Sequence, residues 1–383
     1  MKTINASIPV LRWAINRARL DESIVTRKFQ KWPMWLTGKA QPTLRQLETF
    51  AQMTHTPIGY FFLPKPPVLD LPIPDFRTLR DEALNEPSSE LLDTLYLCDQ
   101  RQEWYREYAR MHGLKPLSFV NSATMAQKPD HVASIIRKTL TLSVDERQQY
   151  HSWTEALRQM ISKTEEIGIL VMASSIVGSN SHRKLRVDEF RGFVQVDELA
   201  PLIFLNASDS KAAQMFTLAH ELAHIWLGES GISNSITGDV PEKAIEKWCN
   251  SVAAEILVPM NNLREEYRES EGIYSEIQRL AKLFKVSTLV VLRRIFDAGF
   301  INQKTLWQAY QEELDHIRSL NSSSGGGGNF YSTLGARTGK RFARAVLSST
   351  LEGQTLFRDA FRMLGVRKTS TFYEAAKKME VMP

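Results

Sequence analysis

The interpretation of the centre of this 383-residue chain depends on one stretch, Phe216-Thr217-Leu218-Ala219-His220-Glu221-Leu222-Ala223-His224. On a helix, the two histidines lie on one face, one turn apart, where two imidazoles can reach one zinc ion. Glu221 lies about 100° around the helix from His220, in the position of a general base that is not itself a ligand. The spacing also predicts an apolar stripe on the opposite face, formed by Met215, Leu218, Leu222 and Ile225.

A catalytic zinc site needs a third protein ligand, and the segment that follows offers Glu242, Glu246 and Glu255. On a helix, Asn250 and the small Ala253 share the face of Glu246, which would let that face pack close to the histidines. Glu255 lies about 180° from Glu246, and Glu242 falls near the helix start, where its charge favours the helix dipole. We expect Glu246 to be the ligand, ahead of Glu242 and then Glu255.

The segments around this motif predict a mainly helical α+β fold. Three short apolar runs at 167–172, 193–196 and 202–205 are rich in β-forming residues, and the last two are separated by a turn. They predict a small sheet with a hairpin-like connection, whereas the rest of the chain has helical spacing. An extended substrate could add to the strand at 202–206, so we expect Phe204 and Asn206 to contact it.

Composition shifts divide the chain into five segments. Residues 1–63 have the spacing of short helices and predict a helix-turn-helix domain. Residues 64–150 begin with a proline-rich linker and continue as a helical connector, before a core at 151–262 that contains the candidate zinc site. Residues 263–320 predict a second unit like a helix-turn-helix. The run Asn321-Ser322-Ser323-Ser324-Gly325-Gly326-Gly327-Gly328 predicts a flexible linker before a basic helical unit at 329–383.

The composition is ordinary for a globular protein, and it excludes some classes. Two cysteines, Cys98 and Cys249, cannot form a disulfide framework or a cysteine-rich zinc site. No apolar run is long enough to suggest a membrane partner, and the first residues do not have the pattern of a secretory signal. We therefore expect a cytoplasmic protein. The net charge of +5 is too small to indicate nucleic-acid binding.

The region from Gly168 to Pro259 resembles the ImmA/IrrE family of metallopeptidases. The matching segments are 202–206, 216–224, 246–250 and 252–259, and outside this region 72–77 resembles the long members of the family. The resemblance implies a gluzincin-like core that holds Zn²⁺ through His220, His224 and Glu246, with Glu221 as the base. It also implies an endopeptidase whose substrate is a protein, such as a transcriptional repressor or another regulatory DNA-binding protein.

The N-terminal unit resembles the Xre-type helix-turn-helix of phage repressors and antitoxins. It matches that pattern at Trp35, Gly38, Gln41, Pro42 and Thr43. The resemblance implies DNA binding, in which Lys28, Lys31 and Lys39 would contact phosphates. Leu36 and Ala40 stand where an acidic and a basic residue are usual, so dimerisation or partner docking is the competing role. For the whole chain, the alternative function is a DNA-binding regulator or a member of a toxin–antitoxin or phage-defence module.

Overall fold

The computed structural model describes residues 3–69, 71–75, 87–233, 243–320 and 330–382. Two compact units divide the chain. Unit 1 comprises Met1–Pro72 and Leu79–Tyr96, and unit 2 comprises Ile73–Thr78 and Leu97–Pro383. The predicted linker at 321–328 and the candidate ligand Glu242 lie outside the described residues. Within the described part of the chain, no helix combines the length and the apolar character needed to cross a membrane.

Unit 1 is built from short helices. They are α1 (Ile8–Arg17), α2 (Glu22–Lys28), α3 (Trp32–Leu36), α4 (Leu44–Thr54) and a 3-10 helix (Ile58–Phe62). Thr43 caps α4, since its hydroxyl accepts the Gln46 N–H at 3.3 Å and the Gln46 side chain accepts the Thr43 N–H. Trp32 stacks on Phe50 in the core, with ring centroids 5.3 Å apart. The Xre-type identity of this unit stays a prediction.

Unit 2 contains a four-stranded sheet in the order β1-β3-β2-β4. The strands are β1 (Leu170–Ser174), β2 (Gly192–Gln195), β3 (Leu202–Asn206) and β4 (Gly231–Ser233). β1 runs parallel to β3, whereas β2 is antiparallel to both β3 and β4. The predicted small sheet with a hairpin-like β2–β3 pair is therefore present, and the mainly helical α+β class is confirmed. β4 was not predicted, because a three-residue strand has too few positions to show alternation.

The position of β3 corrects one expectation. β3 pairs with β1 on one side and with β2 on the other, so both of its hydrogen-bonding edges are used and no peptide can be added to it. Phe204 and Asn206 are buried, and the Asn206 amide donates to the Phe190 carbonyl at 3.0 Å. These two side chains therefore support the fold of the sheet and do not face a substrate groove.

Helices surround this sheet, and all but the first of them contribute to one apolar core that runs from Ala123 to Tyr310. They are α5 (Ser89–Met111), whose first residues are assigned to unit 1, then α6 (Pro129–Thr139), α7 (Val144–Gln149), α8 (Trp153–Glu166), α9 (Lys211–Leu227), α10 (Ala244–Leu257), α11 (Met260–Glu266), α12 (Ile273–Phe284), α13 (Thr288–Asp297) and α14 (Gln303–Leu320). The predicted boundaries after residues 150 and 262 therefore do not separate compact units.

The first two of the four C-terminal helices pack on the edge strand β1 and the last two pack on these, so all four are part of unit 2. They are α15 (Phe330–Thr338), α16 (Lys340–Leu351), α17 (Phe357–Leu364) and α18 (Thr369–Lys378). Gly339 approaches β1 so closely that a Cβ there would lie 2.9 Å from the Val171 carbonyl oxygen. Arg101 donates to the Met363 carbonyl at 2.9 Å, which fixes α17 to α5.

Candidate metal centre

Helix α9 carries the histidine motif across the sheet. Its first turn is capped by the Ser210 hydroxyl, which accepts the Ala213 N–H at 3.2 Å. It ends at Gly228, which has a φ of +81° that glycine adopts without strain. The predicted apolar stripe is fully buried, and α9 packs against β2, β3, α8 and α10. Because the histidine face is buried as well, the motif lies inside the unit and not on its surface.

The structure brings three predicted ligands together at one point. His220 Nε2 lies 3.2 Å from Glu246 Oε2, and His224 Nε2 lies 3.1 Å from Glu246 Oε1. The two histidine Nε2 atoms are 3.1 Å apart. The side chains of both histidines are fully buried and that of Glu246 is 4% exposed. α10 therefore presents Glu246 to the two imidazoles of α9, as the helix-face argument predicted.

These separations fit a tetrahedral metal ion. Ligand atoms about 2.0–2.1 Å from a tetrahedral zinc lie roughly 3.3 Å from one another. This is close to the separation of the two Nε2 atoms and to the distance from each Nε2 to one oxygen of Glu246. The donor set of two imidazole nitrogens and one carboxylate suits zinc and leaves a fourth position open. Within the described residues, His220, His224 and Glu246 are the group whose donor atoms converge closely enough to hold an ion.

Glu255, the rival candidate on α10, points elsewhere. Its Oε1 accepts a hydrogen bond from Arg294 Nη2, and its Oε2 accepts the Met260 N–H at 3.3 Å. These contacts tie α10 to α13 and to the start of α11. Because Glu255 lies about 180° around α10 from Glu246, its side chain points away from the two histidines.

Asn250 orients one of the ligands. Its Oδ1 lies 2.9 Å from His220 Nδ1, and an amide oxygen can only accept, so Nδ1 carries the proton. Nε2 of His220 is then left with the lone pair that a metal requires. The sequence placed Asn250 on the face of Glu246, but this orienting role was not predicted.

Glu221 lies on the same helix but turns toward β4. Ser233 donates its hydroxyl hydrogen to Oε1 of Glu221. Oε2 is buried and has no hydrogen-bond partner among the described residues. Glu221 therefore has one oxygen fixed by the protein and one available for a proton or a water molecule. Sequence reasoning missed Ser233, because no local pattern marks a single serine in an unpredicted strand.

Burial and neighbouring charges control the protonation of these groups. Burial raises the pKa of Glu221 to about 7, although His220 and the Ser233 hydroxyl oppose the shift. Burial also acts to raise the pKa of Glu246, but the adjoining imidazoles of His220 and His224 outweigh it and hold that pKa far below its usual range. The glutamate in the ligand position is thus the stronger acid, and Glu221 is a carboxyl that exchanges protons near neutral pH.

Gly192 on β2 allows α9 to lie close to the sheet. A Cβ at this position would lie 2.5 Å from Thr217 Cγ2, 2.9 Å from the Phe204 carbonyl oxygen and 3.1 Å from Glu221 Oε1. The first two approaches are too close for any side chain, so only glycine fits without movement of the helix. Gly192 therefore sets the position of Glu221, and nothing in the sequence distinguishes it from other glycines in strands.

The predicted DNA-contacting lysines and two further basic residues, His182 and Arg191, lie outside the group of candidate ligands. Lys28, Lys31 and Lys39 belong to unit 1, and all three are exposed. His182 is exposed in the connection between β1 and β2. Arg191 pairs with Asp209 through its guanidinium. Neither His182 nor Arg191 is placed among the ligands.

Two family models match parts of this chain. The one described as "IrrE N-terminal-like domain", a peptidase family, matches residues 164–296. This span contains β1 to β4, α9 and α10, so the match supports a metallopeptidase of the ImmA/IrrE type. The other, described as "Domain of unknown function (DUF8813)", matches residues 338–378, which cover α16 to α18. A search of curated proteins found no match.

Proposed function

We propose that the chain is a zinc-dependent endopeptidase in which His220, His224 and Glu246 hold the metal and Glu221 is the general base. The observation that supports this most directly is the convergence of the two histidine Nε2 atoms and the Glu246 carboxylate, with separations of 3.1–3.2 Å, beside a buried glutamate outside this group. The match of residues 164–296 to a peptidase family agrees with it.

A divalent ion in this position supplies Lewis acidity toward a peptide carbonyl and lowers the pKa of water to about 7. Glu221 accepts a proton at Oε2 from the water molecule that attacks the peptide carbonyl, and it returns this proton to the amine that leaves when the C–N bond breaks. Ser233 holds Oε1, which keeps Oε2 in one orientation. Asn250 orients the ring of His220 through a hydrogen bond within the protein. The orientation of this candidate ligand is therefore already set before a substrate binds.

The test compares the whole chain with its Glu221→Gln variant and does not require that a substrate be identified first. Both proteins are loaded with zinc and incubated with a cell extract, and new protein N-termini are identified by mass spectrometry. We expect new N-termini with the native chain and none with Glu221→Gln, while both proteins keep equal zinc. The exposed Glu166→Gln change on α8 is the control and should cleave like the native chain. Equal cleavage by Glu221→Gln would contradict the mechanism.

We propose a transcriptional repressor or another regulatory DNA-binding protein as the substrate class. This rests on the resemblance of the central region to the ImmA/IrrE family and of unit 1 to the Xre-type helix-turn-helix. The same cleavage experiment tests it, because the sequences around the new N-termini identify the proteins cut. Cleavage confined to proteins without a DNA-binding role would contradict this substrate class.

A second candidate function is DNA binding by unit 1. Lys28, Lys31 and Lys39 are exposed and lie within a dozen residues of sequence, so their charges can act on one phosphate backbone. If they do, replacing all three with alanine should reduce the salt dependence of binding to duplex DNA. The matched control replaces the exposed Lys115, Lys138 and Lys184 of unit 2. Equal salt slopes for both triple variants would contradict this role.

A further inference from the structure

The outer edge of β4 is occupied by a piece of the chain itself. Residues 74 and 75 run alongside this strand, with a parallel bridge between Asp75 and Ile232. The Ile232 N–H donates to the Pro74 carbonyl oxygen at 3.0 Å. We call residues 73–75 the β4-bound segment. They belong to unit 2, although the residues before and after Ile73–Thr78 belong to unit 1.

This edge is the one closest to the candidate metal centre. The residue after Ile232 is Ser233, whose hydroxyl bonds to Glu221. At the other end of the sheet, β1 is covered by α15 and α16. β4 is therefore the strand of this sheet beside which an extended peptide would bring its backbone next to Glu221.

The β4-bound segment also contacts the start of the ligand helix. Lys243, the residue before α10, donates from Nζ to the Asp75 carbonyl oxygen at 2.6 Å. Glu246 follows three residues later. The segment is thus held on one side by the strand that contacts the general base and on the other by the helix that carries a ligand.

The sequence of the segment limits how strongly it pairs. Proline has no N–H, so Pro74 cannot donate to β4 and the ladder cannot continue past it toward the N-terminus. Prolines occupy positions 72 and 74, so alternate N–H groups are missing. A peptide with ordinary residues could form a longer ladder on the same edge and would displace the segment.

We infer that the β4-bound segment is a self-inhibitory strand: it occupies the peptide-binding edge of the site, and an extended substrate must displace it. This inference rests on the proposed function, because it concerns access to that site. The apparent affinity for peptides is then the intrinsic affinity multiplied by the fraction of molecules in which the β4 edge is free. It leaves the metal ligands and Glu221 unchanged.

The test uses the full chain loaded with zinc and two metal-directed probes. Acetohydroxamate reaches the metal alone, whereas tetra-alanine hydroxamate also needs a strand edge. The test variant combines Ile73→Gly and Asp75→Gly and keeps Pro74, because a glycine at position 74 would add an N–H that could pair with β4. Its matched control changes Leu63 and Lys65 of unit 1 to glycine and keeps Pro64, so it also replaces one apolar and one charged residue on either side of a proline.

We expect the test variant to bind tetra-alanine hydroxamate roughly tenfold more tightly than the native chain, with unchanged affinity for acetohydroxamate. The control should match the native chain for both probes. Lys243→Met, which keeps the backbone intact, should shift the affinity in the same direction by a smaller factor. Unchanged affinity for the peptide probe in both variants would overturn the inference.

A second readout separates this inference from the proposed function. Hydrogen exchange of the Ile232 amide, measured on metal-free protein, should be slow in the native chain and faster in the test variant. Equal exchange rates would overturn the pairing itself. If neither hydroxamate binds any of the proteins while zinc is supplied, the proposed metal centre is wrong, and the exchange result shows whether the β4 pairing stands without it.

Discussion

His220 Nδ1 donates a hydrogen bond to Asn250 Oδ1 at 2.9 Å, so a residue of α10 outside the candidate ligand group fixes the ring of a candidate ligand on α9. The same helix supplies Glu246, one turn earlier. One segment of α10 therefore provides both a candidate ligand and the partner that orients another. Residues in such an orienting position control metal affinity as well as geometry.

Replacing Asn250 should weaken metal binding without removing it. In Asn250→Ala the His220 ring loses its acceptor, so its Nδ1 proton and its orientation are no longer fixed. We expect zinc affinity to fall by about 10–100-fold, measured by competition with a chelating dye. Ser251→Ala is the control, because that exposed hydroxyl bonds only to the Lys247 carbonyl among the contacts described. Affinity equal to the native chain in Asn250→Ala would contradict the orienting role.

A methyl group at Gly192 should destabilise unit 2. The added Cβ would meet Thr217 Cγ2 at 2.5 Å and the Phe204 carbonyl oxygen at 2.9 Å, and α9 must move away from the sheet. We expect Gly192→Ala to lower the free energy of unfolding by about 1–3 kcal/mol, measured by denaturant titration. In Gly272→Ala, whose Cβ meets nothing within 4 Å, the change should stay within about 0.5 kcal/mol. Equal stability of the two variants would show that α9 has room at this point.

Glu165 gives the stability of unit 2 a pH dependence. Glu165 is near the end of α8, and its side chain lies beside the start of α16, where Oε1 accepts the Arg341 N–H at 3.0 Å. Burial raises its pKa to about 7, although the hydrogen bonds and charges of Arg341 and Lys340 oppose the shift. The folded chain therefore binds this proton more tightly than the unfolded chain does. Its free energy of unfolding falls as the pH rises from about 4.5 to 7.

Glu165→Gln removes this titration, so its stability relative to the native chain should increase across that pH range. The difference should be on the order of 3 kcal/mol, measured by denaturant titration at several pH values. Glu166→Gln alters an exposed neighbour and should leave the pH profile unchanged. A constant difference between Glu165→Gln and the native chain at all pH values would show that Glu165 does not titrate in this window.

The sequence was sufficient to predict the parts of the site that depend on helical periodicity. The spacing of His220 and His224 predicted their shared face, and the offset between Glu246 and Glu255 separated the candidate ligand from a residue that pairs with Arg294. Spacing carries this information because a helix relates its own residues by a fixed rotation. The three strong apolar runs also placed β1, β2 and β3 close to their observed bounds.

The predictions that failed concern features that depend on contacts between segments distant in sequence. Strand order is decided by which strands pair, and the apolar run at 202–206 does not reveal that β3 is central. Ser233 reaches Glu221 and Pro74 reaches Ile232 only after the sheet has formed. The C-terminal helices were expected to be separate because of the glycine-rich run before them, yet Gly339 and Arg101 join them to β1 and α5.

The central claim is that His220, His224 and Glu246 form one metal centre, and zinc binding by matched variants tests it most directly. Purified full-length protein is dialysed against zinc, and the bound metal is measured by plasma mass spectrometry, with circular dichroism to confirm folding. We predict one zinc ion per native chain, retention in Glu221→Gln and Glu255→Gln, and an affinity lowered by more than roughly 100-fold in Glu246→Gln. A native chain without zinc, or a Glu246→Gln variant that binds zinc like the native chain, would contradict the account.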